Sequence, residues 1–148
     1  MKFKKILLLV AIGCMAAFTA SAGDRIYRDD SVLPPAAKTI LSNNFKSGVS
    51  IVKVGKDLGR VNEYEVVLTD GTEITFDKNG NWKEIETALN KEVPAALIPK
   101  AIVSYVKQNQ KGTRVVGLER KGKGYEATLS NGVEMLFDAQ GNFQRYDR

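Results

Sequence analysis

The residues best suited to chemistry in this chain are its carboxylates. Asp77-Lys78-Asn79-Gly80-Asn81 gathers oxygen donors around a glycine, as part of a calcium loop does. An EF-hand loop carries its glycine sixth and a glutamate twelfth, between helices. Here the glycine is fourth and the flanks alternate like strands, so hairpin geometry is the plainer reading and no metal site is expected. Glu65 with Glu73, and Glu126 with Glu134, form a second set, because two neighbouring carboxylates can divide acid and base work. Solvated strand positions explain them more simply. Trp82 and Phe143 suit either a partner anchor or a core. Lys111, Arg114, Arg120, Lys121 and Lys123 form a loose basic group that a solvated turn explains as well as an anionic partner does.

What is missing narrows the chemistry further. The chain has no histidine, and its one cysteine is Cys14. Imidazole bases, histidine metal sites and serine–histidine or cysteine–histidine nucleophiles are therefore excluded. Carboxylate, lysine and hydroxyl chemistry remain. No cofactor is expected, and the reading is of a protein that is not an enzyme.

These residues must be held by some framework, and the chain shows it by near-repetition. Residues 64–86 read YEVVLTDGTEITFDKNGNWKEIE, and residues 125–147 read YEATLSNGVEMLFDAQGNFQRYD. Each stretch is preceded by a segment of helical spacing. In the first, Ala36, Ala37, Ile40, Leu41 and Phe45 recur at three and four residues after Pro34-Pro35. In the second, a short turn at 94–97 leads to a helix from Pro99 with Ala101, Ile102, Tyr105 and Val106 inward. The expected fold is α+β: a tandem duplication of a helix plus a four-stranded antiparallel meander, with repeats at 33–86 and 94–148 joined by a linker at 87–93. The strands expected in the first copy are 51–54, 63–69, 72–77 and 81–86.

Parity sets the register. A two-residue turn at Asp70-Gly71 would set Leu68 opposite Glu73, a charge among apolar residues. A three-residue loop, Thr69-Asp70-Gly71, sets Val66 opposite Ile74 and Tyr64 opposite Phe76. The loop Lys78-Asn79-Gly80 then puts Trp82 opposite Phe76. Beyond Trp82 the alternation would turn Glu84 inward and Ile85 outward, so a bulge or an edge position is expected there. The polar alternate positions Glu65, Val67, Glu73, Thr75, Glu126, Thr128, Glu134 and Leu136 form an outer sheet face, the expected contact surface for a protein partner.

Residues 1–22 read as a cleaved signal peptide: Lys2, Lys4 and Lys5, an apolar run, then Ala20-Ser21-Ala22. The Ile12-Gly13-Cys14 context faintly resembles a lipid-attachment site, but Ala11 stands where a larger aliphatic residue is usual. Residues 23–32 read as a flexible leader. Removing the three lysines takes three from the formal charge of +5 and leaves the mature chain at +2. That is too little for a strong electrostatic hold on nucleic acid. No span crosses a membrane in the mature chain, its location is periplasmic or secreted, and its oligomeric state is open.

The signal peptide, the two YE-to-GNW/GNF stretches, and the run VPAALIPKAIVSYVK at 93–107 together resemble the putative β-lactamase-inhibitor-like, PepSY-like proteins exported by Bacteroides-type bacteria. The likeness covers residues 33–147. It implies a fold like that of β-lactamase inhibitory protein, with tandem α+β units whose sheets join into a concave surface. It also implies a periplasmic or outer-surface location. It carries no functional residues across, and this chain lacks the disulfides of the secreted inhibitor. The function expected is a non-catalytic periplasmic binding module, a modulator or inhibitor of an envelope protein. The alternative is a small-ligand-binding or envelope-sensing module, with a ligand held between helix and sheet or at the junction of the two units; a large apolar cavity lined by Tyr64, Phe76, Trp82 and the first helix would support it.

Overall fold

The computed structural model describes residues 24–88 and 91–147. The signal-peptide and lipidation readings fall on residues outside these. Among the described residues nine strands occur in chain order: β1 (Arg25–Tyr27), β2 (Val49–Asp57), β3 (Arg60–Leu68), β4 (Glu73–Asp77), β5 (Trp82–Glu86), β6 (Val115–Lys121), β7 (Gly124–Leu129), β8 (Glu134–Phe137) and β9 (Phe143–Asp147). Helix α1 (Pro35–Asn44) lies between β1 and β2. A 3-10 turn (Ala95–Leu97) and helix α2 (Lys100–Asn109) lie between β5 and β6.

The expected pair of α+β units is not what forms. All nine strands make one antiparallel sheet in the order β1 to β9, and the protein is mostly β with two ten-residue helices. The joint is β5 against β6, where Glu84, Ile85 and Glu86 stand opposite Glu119, Leu118 and Gly117. An exposed edge on β5 would leave backbone groups unpaired and Ile85 in water. Pairing with β6 satisfies the first and buries the second completely.

Two further expectations are corrected. The supposed flexible leader supplies β1, with Ile26 opposite Lys53 and Tyr27 opposite Val52. Three residues at an edge need only backbone partners, so no side-chain period marks them. The second correction concerns the first hairpin, which is longer than its apolar pattern suggested. It turns only at Leu58-Gly59, both with positive φ, as a type I′ turn requires.

The register follows parity. Tyr64 meets Phe76, Val66 meets Ile74, and Phe76 meets Trp82. A shift between Thr75 and Phe76 makes Lys83 an extra residue, and Ile85 returns to the inner face. The second set of strands pairs alike, with Tyr125 opposite Phe137, Phe137 opposite Phe143 and a shift at Gln144. The inner face joins Val66, Ile74, Phe76, Trp82, Ile85, Leu118, Leu129, Met135 and Phe137 to Ala37 and Leu41 of α1 and Ile102 and Val106 of α2. Ala101, expected inward, is exposed. Phe143 stacks on Tyr105 at 4.7 Å.

Each helix docks on a hairpin turn. The Asp77 carboxylate accepts the N–H of Asn79 (2.8 Å) and of Asn81 (3.0 Å), and the Asn81 amide donates to its other oxygen. Asp138 does the same for Gln140 and Asn142. The turns close at Gly80 (φ 88°) and Gly141 (φ 83°). A Cβ on Gly80 would lie 2.8 Å from the Ala37 nitrogen, and one on Gly141 would lie 3.0 Å from the Ala101 Cβ. The glycines therefore serve both the backbone conformation and the close approach of a helix.

Gly80→Ala should lower stability by at least about 2 kcal/mol, combining the left-handed penalty with displacement of α1. Gly132→Ala, where φ is 83° and no atom lies within 4 Å, should show the conformational part alone. Urea denaturation measures both. Equal losses would mean that the turn is not a helix dock.

Candidate functional site

Period-two alternation leaves one sheet face turned away from α1 and α2. Two rows cross it. Lys53, Glu65, Thr75, Glu84, Glu119, Glu126, Leu136 and Arg145 stand side by side from β2 to β9. Ile51, Val67, Glu73, Glu86, Gly117, Thr128, Glu134 and Asp147 form the next row. The eight residues singled out from the sequence all fall in these rows. Their environments differ. Glu65 faces Thr75, not Glu73, and accepts a hydrogen bond from Lys53 at 3.1 Å. Glu126 is only 4% exposed and is held by the Lys121 ammonium. Glu73 is exposed, while Val67, Thr75, Thr128, Glu134 and Leu136 are half-buried.

Sequence reasoning missed Glu84, Glu86, Glu119 and Asp147. The β5–β6 pairing brings the first three to the middle of the face, and that pairing joins segments more than thirty residues apart. With them, the face holds four like-charge cross-strand pairs: Glu73–Glu86, Glu84–Glu119, Glu119–Glu126 and Glu134–Asp147. Cations stand around this band. Lys83 pairs with Glu63 at 2.9 Å, and Lys53 pairs with Glu65 and Asp24. Burial raises the Glu84 carboxyl pKa, and the Glu119 and Glu73 charges raise it further against a hydrogen bond with Glu86. At the other extreme is Asp70, beside the β3–β4 turn. Burial acts to raise it, but hydrogen bonds from Lys91 and Thr72 prevail and hold it at about 2.

Carboxylate oxygens of Glu126, Glu134 and Asp147 lie within 4.8 Å of one another. Lys121 contacts Glu126 and, at 3.7 Å, Asp147, so an ammonium already stands among them. The Asp77–Asn81 loop spends its carboxylate on its own turn, as the hairpin reading expects. The basic group disperses. Arg120 lies 4.3 Å over the Trp82 ring, Lys121 turns to the open face, and Lys111 and Arg114 edge an open hollow of about 450 Å³ between α2 and the start of β6. Of the residues named for a ligand cavity, Phe76 is fully buried, Trp82 nearly so and Tyr64 half-buried.

Fold and face together define a helix-backed single-sheet β protein with an open, carboxylate-rich surface. The chain belongs to the family described as putative beta-lactamase-inhibitor-like, PepSY-like, whose model matches residues 62–145. A putative periplasmic protein of unknown function from Bacteroides vulgatus shares 42% identity over 85% of this chain and 100% of its own, with a TM-score of 0.79. A putative calcium-regulated periplasmic protein from Bacteroides thetaiotaomicron shares 35% identity over 84% of this chain and 97% of its own, with a TM-score of 0.77. A second Bacteroides vulgatus periplasmic protein shares 32% identity over 87% of this chain and 100% of its own, with a TM-score of 0.77. A comparison with curated proteins finds no match. No described helix is long and apolar enough to cross a membrane.

Glu84 and Asp70 give opposite pH slopes. Glu84 titrates higher folded than unfolded, so its contribution favours the fold below the usual value of 4.5 and is lost as pH rises through its raised pKa. Asp70 titrates lower folded, so its contribution is present above the usual 3.8 and is lost as pH falls toward about 2. Glu84→Gln should therefore raise stability by about 0.5–1 kcal/mol at neutral pH and change little near pH 4. Denaturant melts at the two pH values check this. An equal gain at both would show that charge is not the cause.

Proposed function

We propose that this protein is a non-catalytic binding module of the periplasm whose acidic open sheet face receives a basic surface of a protein partner. The observation that carries the reading is the set of four like-charge pairs on a face that no described helix covers. Like charges set opposite one another cost stability, and Lys121 offsets part of that cost at Glu126 and Asp147. A cationic partner would turn that cost into affinity and steer the encounter. Val67 and Leu136 supply half-buried apolar contacts beside the charges. The periplasmic structural neighbours support the location. The absence of histidine supports a role without catalysis, as does the position of Glu84 and Glu119 on the open sheet face, away from the hollow beside α2.

The test is recovery of partners from periplasmic extract. The parent protein should retain a defined set, released as salt rises. Glu73→Lys combined with Glu86→Lys should lose that set, as should Val67→Arg combined with Leu136→Arg. Recovery of the same proteins by all three forms would overturn the proposal.

Calcium belongs to the description of one neighbour. In this chain Lys121 already contacts Glu126 and Asp147, whose carboxylates lie beside that of Glu134, and we read the group as an internal ion-pair cluster. Millimolar calcium should leave the melting temperature unchanged. A rise of about 4 °C or more would show that the cluster is a metal site.

A further inference from the structure

The open edge of β9 has a counterpart within the same chain. β5 and β9 each begin with an aromatic residue paired to a phenylalanine, each carries a one-residue bulge, and each then sends one residue to the inner face, Ile85 or Tyr146. β5 is covered by β6. Ile85 lies opposite Leu118 and is fully buried, and the Thr87 N–H just beyond donates to the Val116 carbonyl. β9 has no such neighbour among the described residues, and Tyr146 is 46% exposed.

Hydrogen-bond phase shows what β9 offers. The Asp138 N–H donates to the Asn142 carbonyl, so alternate residues of β8, Leu136 and Glu134, also turn their backbone groups toward β9. They meet Arg145 and Asp147. The N–H and C=O of Tyr146 therefore point out of the sheet.

We propose that β9 pairs antiparallel with the β9 of a second copy, about a two-fold axis through Tyr146. The two Tyr146 residues exchange backbone hydrogen bonds. Arg145 of each copy comes opposite Asp147 of the other, on the face away from the helices. Charge selects this register, with Arg145 and Asp147 exchanging the 3.6 Å pair they make within one chain for pairs across the axis. Sliding by two residues keeps the hydrogen-bond phase but sets Arg145 against Arg145, or Asp147 against Asp147. The contact is self-complementary and closes at two chains. Its axis is normal to the sheet, so both pairs of helices share one side and both acidic faces share the other. Five residues of strand bury little area, so the association appears only at high protein concentration.

Sedimentation equilibrium of the purified protein up to about 1 mM tests the proposal. The mass should climb from one chain toward two. Arg145→Glu alone and Asp147→Lys alone should each abolish the climb, and the two together should restore it. Amide exchange at Tyr146 should slow about tenfold or more with concentration in the parent and in the double variant. Asp147 also contacts Lys121, so if its substitution disturbs the fold, Arg145→Glu and Tyr146 exchange decide alone. A mass independent of concentration would overturn the proposal. So would a dimer that survives Arg145→Glu, or one that leaves Tyr146 exchange unchanged.

Discussion

One extra residue governs which way half of this sheet faces. A strand sends successive side chains to opposite faces, and only one face here is covered by helices. Phe76 meets Trp82 while Thr75 meets Glu84, so Lys83 is left over. Without that bulge, Glu84 and Glu86 would point among Ile74 and Phe76, and Ile85 would point to solvent. β6 takes its register from Ile85 through Leu118, so the error would pass into every later strand. Gln144 repeats the correction in β9. The facing of Ile85 and of β6, and with it the centre of the acid band, follows from the first of these insertions.

Magnitudes show why the fold tolerates so much like charge. Four directly opposed pairs cost on the order of 1–4 kcal/mol together. Truncating any one of Ile74, Phe76 or Ile85 on the other face would cost about 2–5 kcal/mol alone. The apolar face therefore carries the fold with room to spare, and the open face can be set by another requirement. Lys121, between Glu126 and Asp147, shows where local neutralisation was still needed, since Glu126 is the most buried carboxylate of the band.

Local pairing was legible in the sequence and the sheet as a whole was not. The Tyr64–Phe76 and Phe76–Trp82 registers follow from parity and loop length, because a slip would have buried Glu73. The bulge was foreseeable for the same reason. The β5–β6 joint was hidden, since it depends on α2 and its flanks spanning the gap between two edges, and no local period records that. Glu119 could not be placed beside Glu84 without it, so the centre of the acid band went unseen. β1 was hidden for another reason: its three residues are held by backbone groups, which every sequence carries. The outer residues named from parity do lie on the outer face, but the burial of Glu126 depends on Lys121 and Asp147 converging from two other strands.

The strand order also has a kinetic meaning. Each strand pairs only with the strands before and after it in the chain. Apart from the two connections that carry α1 and α2, this wiring needs only short hairpin closures, which are the fast ones. Each completed strand is a template for the next, so a chain delivered from its N-terminus can zip progressively, with one growing edge exposed at a time.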